Sequence, residues 1–270
     1  MKSVLMLLAS DRGMETRLQA SLDVVRATEG HLTLYYTTPL SRFVGLDPFG
    51  GSYVLPSVID ALDKEETDTR SRIEARLASE GVNWTYLSAT DEVSPGLVRQ
   101  AALNDLVVLS RPSQTDRGSV FHAMIADIVM GSPSPVLVMP EGKIGFDVAG
   151  SAAIAWNGSF EAANALRAAL PLLRRASSVS LISVEEEKDD QFPLTTASEY
   201  LSRHGVKSDL VTRSPGSMPV NEALLKAVGK CEADYLVMGA FGHSRAREYW
   251  LGGVTRSLIY DAPVPIVFGR

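Results

Sequence analysis

The sequence has a single cysteine, Cys231, in 270 residues, which excludes an internal disulfide framework and any Cys-x-x-Cys metal or redox site. It stands before Glu232-Ala233-Asp234 and an apolar run, and reads as a structural thiol. Basic residues are not in excess. Lys plus Arg total 26 against 32 Asp plus Glu, a formal net charge of -6, and a nucleic-acid binder would need a basic face. Long apolar runs are missing too: none approaches the ~20 residues that cross a bilayer. The opening run from Met1 to Ala9 stops at Ser10-Asp11-Arg12, too early for a signal-peptide core and without a small-residue cleavage site. It reads as a buried first strand, and the expected location is the cytoplasm, with neither membrane nor nucleic acid as partner. The histidines, at 31, 122, 204 and 243, have no metal-ligand spacing. Gly-x4-Gly-Lys-Ser/Thr, His-Glu-x-x-His and Gly-x-Ser-x-Gly are all absent, which removes the strongest catalytic signatures.

What is present is one unit written twice. With 45% hydrophobic residues, the chain has enough apolar material for two domains of ordinary size. In the first half, strands are expected at Val4–Ala9, His31–Thr37, Asn83–Ser88, Asp105–Ser110 and Pro135–Met139. Helices are expected at Glu15–Thr28, Ile59–Ser79, Pro95–Leu103 and Phe121–Met130, with a polar Gly- and Pro-rich link from Thr38 to Pro56. The second half repeats that order from Ala152 to Phe268. Strands alternating with helices imply parallel pairing and right-handed crossovers. The register of the repeat is fixed by Ile128-Val129-Met130-Gly131-Ser132-Pro133-Ser134-Pro135-Val136-Leu137-Val138. It aligns with Leu258-Ile259-Tyr260-Asp261-Ala262-Pro263-Val264-Pro265-Ile266-Val267-Phe268, both prolines coinciding. Asp105-Leu106-Val107-Val108-Leu109 likewise aligns with Asp234-Tyr235-Leu236-Val237-Met238. The boundary then falls in Glu141–Gly150, and the expected domains are residues 1–143 and 150–270.

The chemistry concentrates between Met238 and Thr255. An apolar strand ends at Met238, a helix can begin near Val254, and glycines stand between them at 239, 242 and 252. Glycine permits positive φ and lets backbone N–H groups approach a bulky anion. A loop entering a helix N-terminus is also where phosphate binds well. The stretch reads as a phosphate cradle, although the glycines taken alone fit a simple chain turn better, since such spacings often arise by chance.

The whole constellation, Gly-x2-Gly-x9-Gly after a hydrophobic strand and a helix running into Ala262-Pro263-Val264-Pro265-Ile266-Val267-Phe268, resembles the ATP-binding signature of the universal stress protein family. Through the repeat, the resemblance covers essentially the whole chain as a tandem two-domain form. It implies two Rossmann-like, adenine nucleotide alpha hydrolase-like α/β domains, each with a five-stranded parallel sheet flanked by helices. It also implies intramolecular pairing of their terminal strands and homo-oligomers such as dimers. ATP or another adenine nucleotide, with magnesium or manganese, is the implied ligand. Its phosphates would lie among Gly239, Gly242, His243, Gly252, Gly253, Val254 and Thr255. The strand end Ala155-Trp156-Asn157 would face ribose or metal, Val184 would meet the adenine edge, and Met238 would pack on the base. Two positions depart from the family pattern. Gly253 replaces the usual Ser or Thr after the last glycine, with Thr255 offering a hydroxyl two residues on, and Asn157 stands where an acid is common.

In the first half the corresponding loop has Ser110, Ser113 and His122, with a proline at Pro112. Every glycine is lost, so this half is expected to be a degenerate partner; binding of another anion by Arg111, Arg117 and His122 is the competing reading. In the second half His243 and Ser244 lack an acid partner and read as phosphate-lining, and Arg245 and Arg247 fit phosphate or solvent equally. No catalytic residue is assigned. The function expected is nucleotide sensing in a stress response, through conformation or assembly. The alternatives are slow ATP hydrolysis in the same pocket, which needs an oriented water, and a ligand-free interaction scaffold.

Overall fold

The computed structural model describes residues 1–46, 52–111, 120–184, 192–240 and 253–270. The first half runs β1 (Ser3–Leu8), α1 (Met14–Thr28), β2 (His31–Thr37), β3 (Gly45–Leu46), β4 (Ser52–Tyr53), α2 (Pro56–Leu77), β5 (Asn83–Ala89), α3 (Val93–Ala101), β6 (Leu106–Ser110), α4 (Val120–Gly131) and β7 (Val136–Met139). The second half runs β8 (Ala152–Ala155), α5 (Phe160–Leu173), β9 (Val179–Ser183), α6 (Leu194–Arg203), β10 (Asp209–Thr212), α7 (Val220–Lys230), β11 (Tyr235–Gly239), α8 (Gly253–Asp261) and β12 (Ile266–Gly269). The expected elements are all found, with ends moved by a few residues. The exception is the link after β2, which contains a 3-10 turn at Leu40–Phe43 and the small antiparallel pair β3–β4.

Ten strands form one sheet in the order β5-β2-β1-β6-β7-β12-β11-β8-β9-β10. Pairing is parallel within each half and antiparallel only where β7 meets β12, with Val138 opposite Ile266 and Val136 opposite Phe268. Each half is therefore a five-stranded Rossmann-like unit, and the two join edge to edge. The join covers two wholly apolar edges, Val136–Met139 and Ile266–Phe268, that would otherwise template aggregation.

The repeat is reproduced at single hydrogen bonds. Ser3 N donates to Asp105 Oδ2 at 3.1 Å while Asp105 N returns to Ser3 O at 2.7 Å. Ser151 N donates to Asp234 Oδ2 at 2.8 Å and Asp234 N returns to Ser151 O, also at 2.8 Å. These aspartates tie the starts of β1 and β8 to the neighbouring strands β6 and β11.

Alternate strand residues face two apolar layers, as period-two side-chain direction requires. One layer holds Met6, Val108, Leu137, Ile154, Val237 and Val267 with α1, α5 and α6. The other holds Leu5, Val107, Val138, Ala153, Leu236 and Ile266 with α3, α4, α7 and α8. Both layers continue across the join. The connection between the halves is packed as well: Phe146 N donates to Asp23 Oδ2 at 2.8 Å, and its ring lies 5.1 Å from that of Tyr235. Among the described residues, no helix is long and apolar enough to cross a membrane.

Candidate functional site

In the second half the carboxyl ends of β9, β8, β11 and β12 stand level, with Ile182, Ala155, Met238 and Phe268 paired in sequence across the sheet. Open parallel sheets bind ligands at this edge, where strand order reverses, here between β8 and β11. Ala155, Val184, Met238 and Val254 all belong to the layer shared with α7 and α8. The structure thus places four of the expected residues in one apolar layer, with Ala155 paired to Met238 across the sheet and Val254 in the first turn of α8. Trp156 lies on the opposite face, in the α5–α6 layer, because it follows Ala155 in an extended chain. Its backbone continues the edge by donating to Ile182 O at 2.8 Å. Its indole N–H is committed elsewhere, to Phe192 O at 2.9 Å, and Phe192 N donates back to Gly158 O at 3.0 Å.

Asn157 is exposed, but its Oδ1 already accepts from Ser159 N at 3.2 Å and Ser159 Oγ at 2.8 Å. Ser159 in turn caps α5, its Oγ accepting from Ala162 N at 3.2 Å. The amide therefore shapes a helix entry; its Nδ2 is the group with donors to offer a ligand. Among the described residues no three His, Cys, Asp or Glu side chains gather as a metal site.

Gly239 ends β11, and the reason for glycine there is now visible. A Cβ would sit 2.6 Å from Ala162 N and from Glu161 C. Backbone of the α5 entry presses against the strand end, so this glycine serves packing whether or not a phosphate also approaches it. Gly242, His243 and Gly252 lie outside the described residues, as do Ser244, Arg245, Arg247, Tyr249 and Trp250. Gly253 and Val254 open α8, and Thr255 is buried in its first turn. Asn221 Nδ2 donates to Ser257 Oγ at 2.8 Å, which ties α8 to α7.

The far end of α8 is held by the first half. Arg111 donates through Nη1 to Tyr260 O at 2.7 Å and through Nη2 to Ala262 O at 2.6 Å. Burial lowers its pKa, and the nearby Asp261 and Glu141 carboxylates oppose that shift. The reading of Arg111 as an anion ligand of the first half is thereby corrected: its guanidinium is spent on helix carbonyls. Arg117 lies outside the described residues.

Sequence reasoning missed Arg17. This α1 residue is 3% exposed and fills the first half's strand-end cleft. Its Nε donates to Leu7 O at 2.9 Å, Nη1 to Ser110 Oγ at 2.7 Å, and Nη2 to Ala9 O at 3.2 Å and Asp11 Oδ2 at 3.0 Å. A cation satisfied on all sides occupies the switch point between β1 and β6. The signal available in the sequence was an arginine in the first turn of a helix whose one face is apolar, where the second half has Ala165.

Residues 153–268 match the sequence profile of the universal stress protein family. Universal stress protein Slr1230 of Synechocystis sp. (strain ATCC 27184 / PCC 6803 / Kazusa) is 27% identical over 173 residues, which cover 62% of this chain but only 58% of that relative's own length. A universal stress protein from Archaeoglobus fulgidus DSM 4304 superposes with a TM-score of 0.74 at 14% identity, over 99% of this chain and 96% of that one. The cytoplasmic domain of a prokaryotic cation chloride cotransporter has the same fold at a TM-score of 0.51 and 14% identity, covering 99% and 94% of the two chains. At these identities the structural likeness speaks for the fold alone.

Proposed function

We propose that this chain, whose second half belongs to the universal stress protein family, binds ATP or a related adenine nucleotide in that half and signals its occupancy through conformation or assembly. The observation that carries the reading is the level strand edge of β9, β8 and β11. Ala155, Val184 and Met238 lie there in one apolar layer with Val254 of the first turn of α8. A purine needs such an apolar surface, and the free N–H groups at a helix start suit phosphate oxygens. Magnesium or manganese accompanies the phosphates. The protein acts in the cytoplasm, as a homo-oligomer, without membrane or nucleic acid. The first half serves as structural partner, because Arg17 occupies its corresponding cleft.

Native mass spectrometry of freshly purified full-length protein, with identification of any small molecule released on denaturation, tests this. The expected result is one adenine nucleotide per chain, lost in Gly242→Ala. That variant is preferred to Gly239→Ala, which would disturb α5. Two nucleotides per chain would overturn the assignment of the first half. No nucleotide, even after addition of ATP and magnesium, would favour the scaffold reading.

A further inference from the structure

The antiparallel join of β7 and β12 sets the carboxyl-end edge of the first half beside the amino-end edge of the second. Arg111 is the first residue past β6 and Ala240 the first past β11. Their backbones do the same thing: Arg111 N donates to Met139 O at 2.9 Å and Ala240 N to Gly269 O at 2.8 Å. Their side chains do not. Alanine ends at Cβ, whereas Arg111 crosses the join and takes the carbonyls of Tyr260 and Ala262, with Ile259 O a longer 3.4 Å away.

Those carbonyls belong to the last turn and exit of α8, a helix of nine residues that starts directly after the glycine-rich loop. The last carbonyls of a helix lack internal partners and carry the negative end of its dipole. A planar guanidinium satisfies several of them at once and complements that charge. In so short a helix, fixing the last turn also fixes the first, because few internal hydrogen bonds separate them.

We infer that Arg111 is a positioning residue for the second half's nucleotide site, through which the first half holds α8 in place without touching the ligand. This rests on the nucleotide reading given above. The degenerate half thereby acquires a role, since the strand edge that lost its own cradle supports its neighbour's. The opposite crossing is made by a different residue: Arg270 Nη1 donates to Met130 O near the end of α4, and that bond supports the first half.

The test is ATP affinity by titration calorimetry on full-length protein, together with hydrogen exchange of α8 amides without nucleotide. Arg111→Met is expected to weaken ATP binding about tenfold, the scale of one charge–helix interaction plus lost hydrogen bonds, and to speed α8 exchange. Arg111→Lys should restore part of both, and Arg270→Met should leave ATP affinity unchanged. ATP binding by Arg111→Met equal to wild type overturns the inference while leaving the nucleotide reading intact. An equal loss in Arg270→Met also overturns it, because general loosening of the join would then explain the effect. Failure of the wild type to take ATP removes the nucleotide reading itself, and the inference with it.

Discussion

The two halves solve one packing problem in opposite ways. At the point where the helix after the first strand meets the end of the fourth, something must lack a side chain. In the first half the helix side yields: a Cβ on Gly13 would fall 2.2 Å from Ser110 Oγ. In the second half the strand side yields, with Gly239 against the peptide joining Glu161 and Ala162. The choice decides what else the edge can hold. With serine on the strand, the first half gains a hydroxyl that helps lock Arg17 in the cleft. With glycine on the strand and Ala165 on the helix, the second half has no such cation, and Ala165 instead lies against Gly269, where a Cβ would come within 2.4 Å of its Cα. The first half thus differs by more than the loss of glycines: Arg17 fills its cleft.

The sharpest way to break this comparison is Arg17→Ala, which gives the first half the second half's residue. It removes the guanidinium from Asp11 Oδ2, from Ser110 Oγ and from the Leu7 and Ala9 carbonyls, although Ala9 O keeps the bond from Asp11 N and Asp11 Oδ1 the bond from Gly13 N. The expected cost is about 3 kcal/mol, at the lower end for breaking a buried pair because Asp11 remains partly exposed. Urea unfolding measures it, and a loss below about 0.5 kcal/mol would mean that Arg17 does not hold the cleft.

Gly239→Ala comes next. If the glycine serves packing, the nucleotide-free protein should lose roughly 1–3 kcal/mol, the usual cost of overpacking. A nucleotide-free protein of unchanged thermal stability, with ligand binding alone impaired, would return Gly239 to a purely ligand role.

The smallest effect is expected where the halves agree. Burial pushes Asp105 up, but hydrogen bonds from the Lys2 and Ser3 amides outweigh it and leave its pKa below the ordinary 3.8. A lowered folded pKa stabilises above the unfolded value and is lost as pH falls through the folded one. Asp105→Asn should therefore lower Tm slightly at pH 7, and the gap to wild type should close as pH falls below the ordinary carboxylate range. A gap that is constant with pH would assign the clamp to shape rather than charge.

Most of the fold was legible because it rests on local signals: apolar runs of strand length, helical periodicity, and the paired prolines at 133 and 135 and at 263 and 265. The structure inside the link after β2 was not legible, because its two-residue strands, β3 and β4, are too short to carry a period. Val184 and Met238 were legible as residues within one position of the ends of buried strands. The divergence of Trp156 from Ala155 was not, since it depends on which face each layer of helices covers.

By itself, then, the sequence determined the repeated α/β unit, its register and the asymmetry of the glycines, because propensity, pattern and turn chemistry act between residues close along the chain. Only the tertiary structure decided that Arg17 fills one cleft, that Gly239 answers to α5, and that Arg111 of one half caps a helix of the other. Those outcomes depend on burial and on contacts between residues about 80 to 150 positions apart, a range over which no local pattern in a chain carries information.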